Sequence, residues 1–262
     1  MTGDQSDEVQ GLRLRAVVEA MLSVDDEFAV YSVYQCIVRI SDQTTVGWEG
    51  LARPRDWRAA ADVEALFLTA REMGLGGELD WRCRRSALSE ASRLEGPLFI
   101  NVNVPSLVGP LDGVAQMAQI CESAGRSTDS VILELSERES IPDPAGLQRS
   151  MAGYRAAGFR FSLDDTGHSD STHDLIRAAR PEYLKLSRPL TQTAGTDRAA
   201  YAAAEALVGL ARDLPSTVIA EGVEDDAHLA TCVSLGIDQA QGWKFGRPRP
   251  AHELRNGRLR PD

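Results

Sequence analysis

The stretch "LFINVNVPSLVGPLDGVAQMAQICESAGRSTDSVILELSE", residues 98–137, indicates the fold of the chain. It begins with the apolar run "LFINVNV" (98–104) and ends with the apolar run "VILELSE" (131–137), both of strand length. Between them "DGVAQMAQICESAG" (112–125) has apolar residues at intervals of three and four and ends at glycine, as amphipathic helices often do. Strand, helix and strand in this order predict two parallel strands joined by a crossover helix.

The same alternation of strand and helix continues along the chain. Runs of strand length lie at residues 28–40, 45–52, 98–104, 131–137, 160–165, 183–187, 217–223 and 239–246. Strands separated in this way by helical segments predict an α/β fold, a TIM-like (β/α)8 barrel, with an open doubly wound sheet as the alternative. The link "SDQTT" (41–45) is too short for a crossover helix, so we expect the first strand to run antiparallel to its neighbour.

The composition favours a globular protein with a substantial core, since 43% of the 262 residues are hydrophobic. The net charge of −11 argues against binding to a nucleic-acid polymer, which requires a basic surface. Scattered cysteines predict free thiols in a reducing compartment: Cys36, Cys83, Cys121 and Cys232. The sequence has no apolar run long enough to indicate a membrane span, and its acidic start "MTGDQSDEVQ" (1–10) is unlike a signal peptide. We therefore expect a cytoplasmic protein without a membrane partner.

Oxygen-bearing side chains stand at or near the carboxyl ends of five predicted strands: Glu49, Asn101, Glu134, Asp164 with Asp165, and Glu221. Taken alone, such an acid is usually a solvated loop residue or a helix cap. In a barrel, however, the carboxyl ends of all parallel strands meet at one face. Acids gathered there repel one another unless cations lie between them. A set without His or Cys favours Mg²⁺, Mn²⁺ or Ca²⁺ over Zn²⁺.

Two adjacent aspartates end the fifth predicted strand, in "FRFSLDDTGHSDSTHD" (159–174). Asp164 and Asp165 would point to opposite faces of an extended strand, but a turn at the strand end lets both reach one site. Such a pair suits two metal ions about 3.5–4 Å apart that hold a phosphodiester and activate water. Lys185, in the next strand, has two interpretations: it orients the attacking water or neutralises phosphate, or it is a buried ion-pair partner of the acids.

The motifs resemble those of the EAL domain family, the bacterial phosphodiesterases of cyclic di-GMP. "YQCIVRISDQTTVGWEGLARP" (34–54) is similar to the family's opening signature, and "EGL" (49–51) stands where the family's name motif stands. The resemblance continues in the family's order through "LFINVNVPSL", "VILELSERES", "FRFSLDDTG", "PEYLKLSRP", "VIAEGVED" and "QGWKFGRP". It covers about residues 30–250, and we take from it an EAL domain at 28–256 and a tail at 257–262. Apolar residues at helical spacing in "VQGLRLRAVVEAML" (9–22) predict a helical extension at 1–27, which lies on the barrel or packs against another subunit.

The resemblance implies a TIM-like barrel with an antiparallel first strand, often a homodimer, that cleaves cyclic di-GMP to linear pGpG. It implies Mg²⁺ or Mn²⁺ as cofactor, with Ca²⁺ inhibitory. By matched motif, it assigns metal binding to Glu49, Asn101, Glu134, Asp164 and Asp165. Lys185 and Glu221 join Glu49 in the catalytic set, and Gln35, Arg53 and Gln241 line the substrate pocket. Glu137 is expected to brace the loop after the fifth strand.

Three departures from the family pattern bear on activity. Gly50 replaces the usual Ala or Val of the name motif, and Ser187 replaces an aspartate, which removes a carboxylate near the second metal. The loop "DDTGHSDSTH" (164–173) lacks the usual aromatic and one glycine, and we expect its two new histidines to be solvated, with substitute metal ligands as the alternative.

Three hypotheses remain open on this basis. The first is a metal-dependent phosphodiesterase of low activity, and the second is a sensor that binds cyclic di-GMP without cleaving it. The third is a protein-interaction module that has lost the nucleotide and acts on a signalling partner. The sequence has no GGDEF-like stretch, so we do not include a cyclase among the hypotheses.

Overall fold

The computed structural model describes residues 3–23, 29–55, 63–108, 112–138, 141, 143–167 and 172–254. The strands of its sheet are β1 Val30–Arg39, β2 Thr45–Pro54, β3 Leu98–Asn101, β4 Val131–Ser136, β5 Arg160–Thr166, β6 Tyr183–Leu186, β7 Thr217–Ala220, β8 Gln239–Ala240 and β9 Arg249–Pro250. Neighbours from β2 to β8 pair in parallel and in chain order. β1 closes the ring because it pairs antiparallel with both β2 and β8.

This closed ring confirms the α/β barrel with an antiparallel first strand and excludes the open sheet. β9, which the sequence did not predict, adds a two-residue antiparallel pairing to β1. Several predicted strands were too long at their carboxyl ends, because the hydrogen-bond ladders stop at Asn101, Leu186, Ala220 and Ala240. The apolar runs continue past these points into loops whose side chains are also buried, as at Val223, so apolar character could not mark the ends.

Ten helices surround the barrel in the described part of the chain. They are α1 Gly3–Leu22, α2 Val63–Glu72, α3 Gly76–Glu90, α4 Val104–Leu107, α5 Asp112–Ser123, α6 Pro144–Ala156, α7 Thr172–Ala179, α8 Arg188–Thr193, α9 Arg198–Asp213 and α10 Asp226–Leu235. The main core lies between this layer and the strands. α3 packs closely on β2 at Gly50, where a Cβ atom would lie 3.2 Å from Cβ of Ala87. The glycine of the name motif therefore leaves room for this helix.

The N-terminal helix α1 packs on the outside of the barrel. Its Val18 and Met21 are buried in a small apolar cluster with Leu66 of α2 and Leu79 of α3. The N-terminal helix therefore packs on its own barrel, and packing against another subunit stays a prediction. Residues 24–28 and the predicted tail at 257–262 lie outside the described residues, and none of the described helices has the length and apolar character of a membrane span.

Candidate functional site

The polar layer of the site follows from the two-residue period of the strands. Ile37, Phe99, Ile132 and Ile219 form an apolar plug inside the barrel. Since side chains two positions apart share a face, the residues two positions nearer the carboxyl rim of the barrel point into the same interior. These residues are Gln35, Asn101, Glu134 and Glu221, and Lys185 stands two positions beyond Tyr183, which packs on the plug. Alternation therefore places a polar layer directly above an apolar one.

Lys185 lies at the centre of this layer, and its side chain is fully buried. Its Nζ atom lies 2.9 Å from Glu221 Oε1, 3.0 Å from Glu134 Oε1, 3.1 Å from Asp164 Oδ1 and 3.5 Å from Glu49 Oε1. These four acids come from β2, β4, β5 and the residue after β7, so the barrel brings together groups as far apart in sequence as Glu49 and Glu221. One ammonium group thus faces four carboxylates.

Burial and mutual repulsion shift the protonation equilibria of the layer. Burial raises the pKa of Glu134 well above its ordinary value; Lys185 opposes the shift, and Glu49 and Asp164 add to it. Burial, followed by the charge of Asp164, raises the pKa of Glu221 to about 8. Burial lowers the pKa of Lys185, but the four carboxylates outweigh this and hold its pKa well above the usual range. The layer therefore carries an excess of acid that one lysine does not neutralise.

Amide side chains fix the orientation of Glu49. Gln241 Nε2 donates to Glu49 Oε2 and, at 3.0 Å, to Gln35 Oε1. Gln35 Nε2 donates in turn to the carbonyl of Gly246 at 2.8 Å, and Asn101 Nδ2 lies 3.5 Å from Glu49 Oε1. Four of the predicted substrate and metal residues therefore form one hydrogen-bonded chain, which runs from Gln241 at the end of β8 through Gln35 and Glu49 to Asn101.

The donor set fits divalent cations in its chemistry. Within the described residues, no three His, Cys, Asp or Glu side chains are already gathered around a common metal position; Lys185 Nζ takes the centre instead. Apart from the ion pair with Lys185, however, both carboxylate oxygens of Glu134 are buried without a hydrogen-bond donor. Buried acceptors of this kind are expensive unless a cation or donor satisfies them. An all-oxygen set of carboxylates and an amide suits Mg²⁺ or Mn²⁺.

Asp165 points away from the lysine cluster towards a different cation. Its backbone has φ +58°, a left-handed conformation that Asp tolerates, and the β5–β6 register shifts between Leu163 and Thr166. Its Oδ2 atom lies 3.3 Å from Nε of Arg138, which follows β4. The backbone turns at Asp165, but the turn does not bring the two carboxylates to one cation, because Asp164 meets Lys185 and Asp165 meets Arg138. Sequence reasoning missed Arg138, because only the backbone turn at Asp165 brings the two together.

A cavity of about 370 Å³ opens beside these residues. Its lining includes Arg53, Asn101, Arg138, Asp164 and Asp165. Burial lowers the pKa of the Arg53 guanidinium, and the charge of Glu49 opposes this. A planar guanidinium is well suited to contact phosphate oxygens. The cavity lining thus combines guanidinium groups with carboxylate and amide oxygens, which suits a phosphorylated ligand held with metal ions.

Glu137 connects the end of β4 to both sides of the loop after β5. Its Oε2 atom accepts from the backbone N–H of Gly167 at 2.8 Å, and its Oε1 atom accepts from the hydroxyl of Thr172 at 2.5 Å. Its own backbone N–H donates to the carbonyl of Asp164 at 3.0 Å. The intervening part of the loop, residues 168–171, lies outside the described residues and includes one of the two histidines.

Ser187, the second departure, lies directly after β6 and is buried. Its backbone N–H donates to the carbonyl of Thr166 at 3.0 Å, and the Thr166 hydroxyl donates to the carbonyl of Lys185 at 2.7 Å. Both residues therefore contribute to the contact between the ends of β5 and β6. A neutral hydroxyl at this position leaves the layer without a further carboxylate.

Comparison with known proteins agrees with this architecture. The family model described as "EAL domain" matches residues 17–248. The chain is 26% identical over 249 residues to the cyclic di-GMP phosphodiesterase RocR of Pseudomonas aeruginosa. The alignment covers 93% of this chain and 63% of that protein. Across the first matches among curated relatives, the chain spans from 28% to 63% of the relative's length.

Solved structures give the same result. The calcium and cyclic di-GMP complex of Klebsiella pneumoniae BlrP1 aligns with a TM-score of 0.77 at 25% identity, over 84% of this chain and 56% of that one. The cyclic di-GMP complex of the phosphodiesterase PaMucR aligns with a TM-score of 0.79, over 91% of this chain and 99% of that one, and at 21% identity it supports the fold alone.

Proposed function

Because this chain belongs to the EAL domain family, we propose that it hydrolyses cyclic di-GMP to linear pGpG in a reaction that requires Mg²⁺ or Mn²⁺. The observation that carries the proposal is the buried Lys185, with the carboxylates of Glu49, Glu134, Asp164 and Glu221 within 3.5 Å of its Nζ atom. A purely structural ion pair needs one carboxylate per lysine. An excess of acids inside a barrel mouth is an arrangement that bound divalent cations would balance, and those cations could in turn hold an anionic phosphodiester.

The metal ions would be held by five oxygen-bearing side chains: Glu49, Asn101, Glu134, Asp164 and Asp165. Divalent ions bound there would lower the pKa of a water molecule and stabilise the developing charge on the phosphodiester oxygens. RocR is a cyclic di-GMP phosphodiesterase by name, and BlrP1 structures hold cyclic di-GMP with calcium or with manganese. These relatives support a divalent ion and leave the choice between Mg²⁺ and Mn²⁺ to experiment.

The remaining residues bind, orient and position. Arg53 contacts the ligand from the cavity lining, Gln35 contacts it from its hydrogen-bonded chain with Gln241, and Gln241 holds Glu49 in a single orientation. Lys185 keeps the four carboxylates at fixed distances and offers an N–H towards the attacking water or a phosphate oxygen. Glu221 follows β7, the neighbour of the strand that carries Lys185, and fixes the ammonium group at 2.9 Å. Glu137 supports the loop after β5 through its contacts to Gly167 and Thr172, so that Asp164 and Asp165 stay in place.

A second candidate function is binding of cyclic di-GMP without cleavage. It is favoured by the ion pair between Arg138 and Asp165 and by the neutral Ser187, since both reduce the negative charge available to a second metal ion. In that case the chain would act as a sensor that passes the signal to a protein partner. A module that no longer binds nucleotide is the weakest alternative, because the buried carboxylate layer is retained.

We also propose a homodimer in the cytoplasm that contacts neither membrane nor nucleic-acid polymer. Four buried and unbridged cysteines support a reducing compartment. The division into an extension at 1–27, an EAL domain at 28–256 and a tail at 257–262 is part of the same proposal. Light scattering of the purified chain, with and without nucleotide, tests the dimer.

The decisive experiment separates products of cyclic di-GMP by chromatography after incubation with Mg²⁺ or Mn²⁺. Glu49→Ala is the inactive variant and Glu205→Ala, on the exposed face of α9, is the matched control. Formation of pGpG by the wild type and by E205A, but not by E49A, supports hydrolysis. Saturable binding in Ca²⁺ without any pGpG in Mg²⁺ or Mn²⁺ establishes the sensor instead. If the chain shows neither saturable binding nor product, both the hydrolysis and the sensor function are refuted.

A further inference from the structure

The fifth oxygen-bearing acid of the site already has a cation of its own. Asp165 lies 3.3 Å from Arg138, and their side chains are 31% and 46% exposed, so the pair stands at the cavity wall and not in the buried layer. The other four acids face Lys185, whereas Asp165 faces a guanidinium. The site therefore contains two fixed cations at different depths.

The backbone holds Arg138 at this place. The N–H of Glu137, the preceding residue, donates to the carbonyl of Asp164, and the N–H of Arg138 donates to Ser136 Oγ at 3.2 Å. The segment after β4 is thus fastened to the end of β5, where Asp165 turns through its left-handed conformation. Both partners start from constrained backbone positions, which lowers the entropic cost of keeping the ion pair.

Acids and guanidinium groups both line the cavity around Asp165. Of the other acids there, Asp80 is paired with Arg84 and Asp164 with Lys185, and Glu64 is the third. Ser187 contributes a neutral hydroxyl at the end of β6. Arg53 and Arg71 line the same cavity as Arg138. Guanidinium groups stay charged at every physiological pH, so deprotonation of Arg138 does not break its ion pair with Asp165.

We propose that Arg138 is a built-in cation that competes with a divalent metal ion for Asp165, so that the site takes one metal ion readily and a second one weakly. The inference rests on the proposed function in assuming that the layer binds Mg²⁺ or Mn²⁺. It goes further in naming the residue of this chain that sets how many ions bind. A divalent ion that coordinates Asp165 must displace the guanidinium or accept its repulsion.

The test is calorimetric titration of the metal-free full chain with Mn²⁺ alone, without nucleotide. Arg138→Gln removes the charge and keeps a polar side chain, and Arg138→Lys keeps the charge. Arg149→Gln is the matched control because Arg149 forms an exposed ion pair with Asp143, 3.5 Å apart, on α6. Circular dichroism of each variant verifies that it is folded, and the exposed positions make this the expected result.

We expect Arg138→Gln to tighten the weaker Mn²⁺ site by about fivefold, the factor that corresponds to the upper range for an exposed ion pair. Arg138→Lys and Arg149→Gln should reproduce the wild-type isotherm. If the Arg138→Gln and Arg149→Gln isotherms superimpose, the proposal is wrong. The titration contains no nucleotide, so its outcome is independent of the product assay. A wild-type chain that neither binds nor cleaves cyclic di-GMP would refute the proposed function. The comparison of Mn²⁺ affinities between the variants would still be valid.

Discussion

Replacement of the central lysine should make the thermal stability of the chain depend on a bound metal ion. Lys185→Met nearly keeps the length of the side chain and removes the ammonium group that faces Glu49, Glu134, Asp164 and Glu221. Loss of one partner from a buried ion pair typically costs about 3–5 kcal/mol, because the remaining charge is left uncompensated. For a chain of this size, each kcal/mol lowers Tm by roughly 2–4 °C, so we expect a decrease of about 6–20 °C in EDTA.

The matched control is Lys244→Met, which removes the other lysine of the sequence. Lys244 Nζ lies 2.6 Å from Asp226, whose side chain is 93% exposed, and such pairs contribute about 0–1 kcal/mol. Millimolar Mn²⁺ should restore more of the lost Tm in Lys185→Met than it adds to the wild type, because the four acids then need the ion. The reasoning is refuted if Lys185→Met in EDTA melts within about 2 °C of Lys244→Met.

Three further predictions concern the supports of the site. Asp80→Asn should lower the free energy of unfolding in urea by about 3–5 kcal/mol, because Asp80 is the ion-pair partner of the fully buried Arg84; a loss under about 1 kcal/mol would contradict this. Glu137→Gln should speed amide hydrogen exchange at Gly167 by about tenfold or more, since a charged acceptor is lost, and an unchanged NMR exchange rate would show that the contact does not hold the loop. Ser187→Asp should raise Mn²⁺ affinity in calorimetry by restoring a carboxylate, and an unchanged isotherm in a folded variant would place the handicap elsewhere.

The barrel and its polar layer could be predicted from sequence for a definite reason. Strand and helix alternate in a pattern that only a few topologies accommodate, and the short link after the first strand indicated its direction. Because all strand ends of a barrel share one face, residues as distant as Glu49 and Lys185 could be expected to meet. Their separation of 3.5 Å bears this out, while their catalytic roles remain predictions.

Other parts of the structure depend on backbone detail that composition does not carry. The partner of Asp165 follows from a left-handed residue at the strand end, which turns its carboxylate towards Arg138. The buried pair of Asp80 and Arg84 lies on α3, where charged residues in a helix normally suggest a solvated face. The strand ends were missed because loop residues such as Phe245 are as buried as strand residues.

The position of β1 has a consequence for how the protein is made. β1 is hydrogen-bonded to β8 and β9, and the Glu49–Gln241 and Gln35–Gly246 contacts cross the same seam. At ribosomal rates of about 5–20 residues per second, the roughly 200 residues between these partners take on the order of 10–40 s to synthesise. For that time the nascent sheet has two unpaired edges, which are sites of aggregation and of chaperone binding. The polar layer is therefore completed only when the end of the seam has left the ribosome, because Glu221 and Gln241 are made long after Glu49, and chains that stop short of these residues lack part of it.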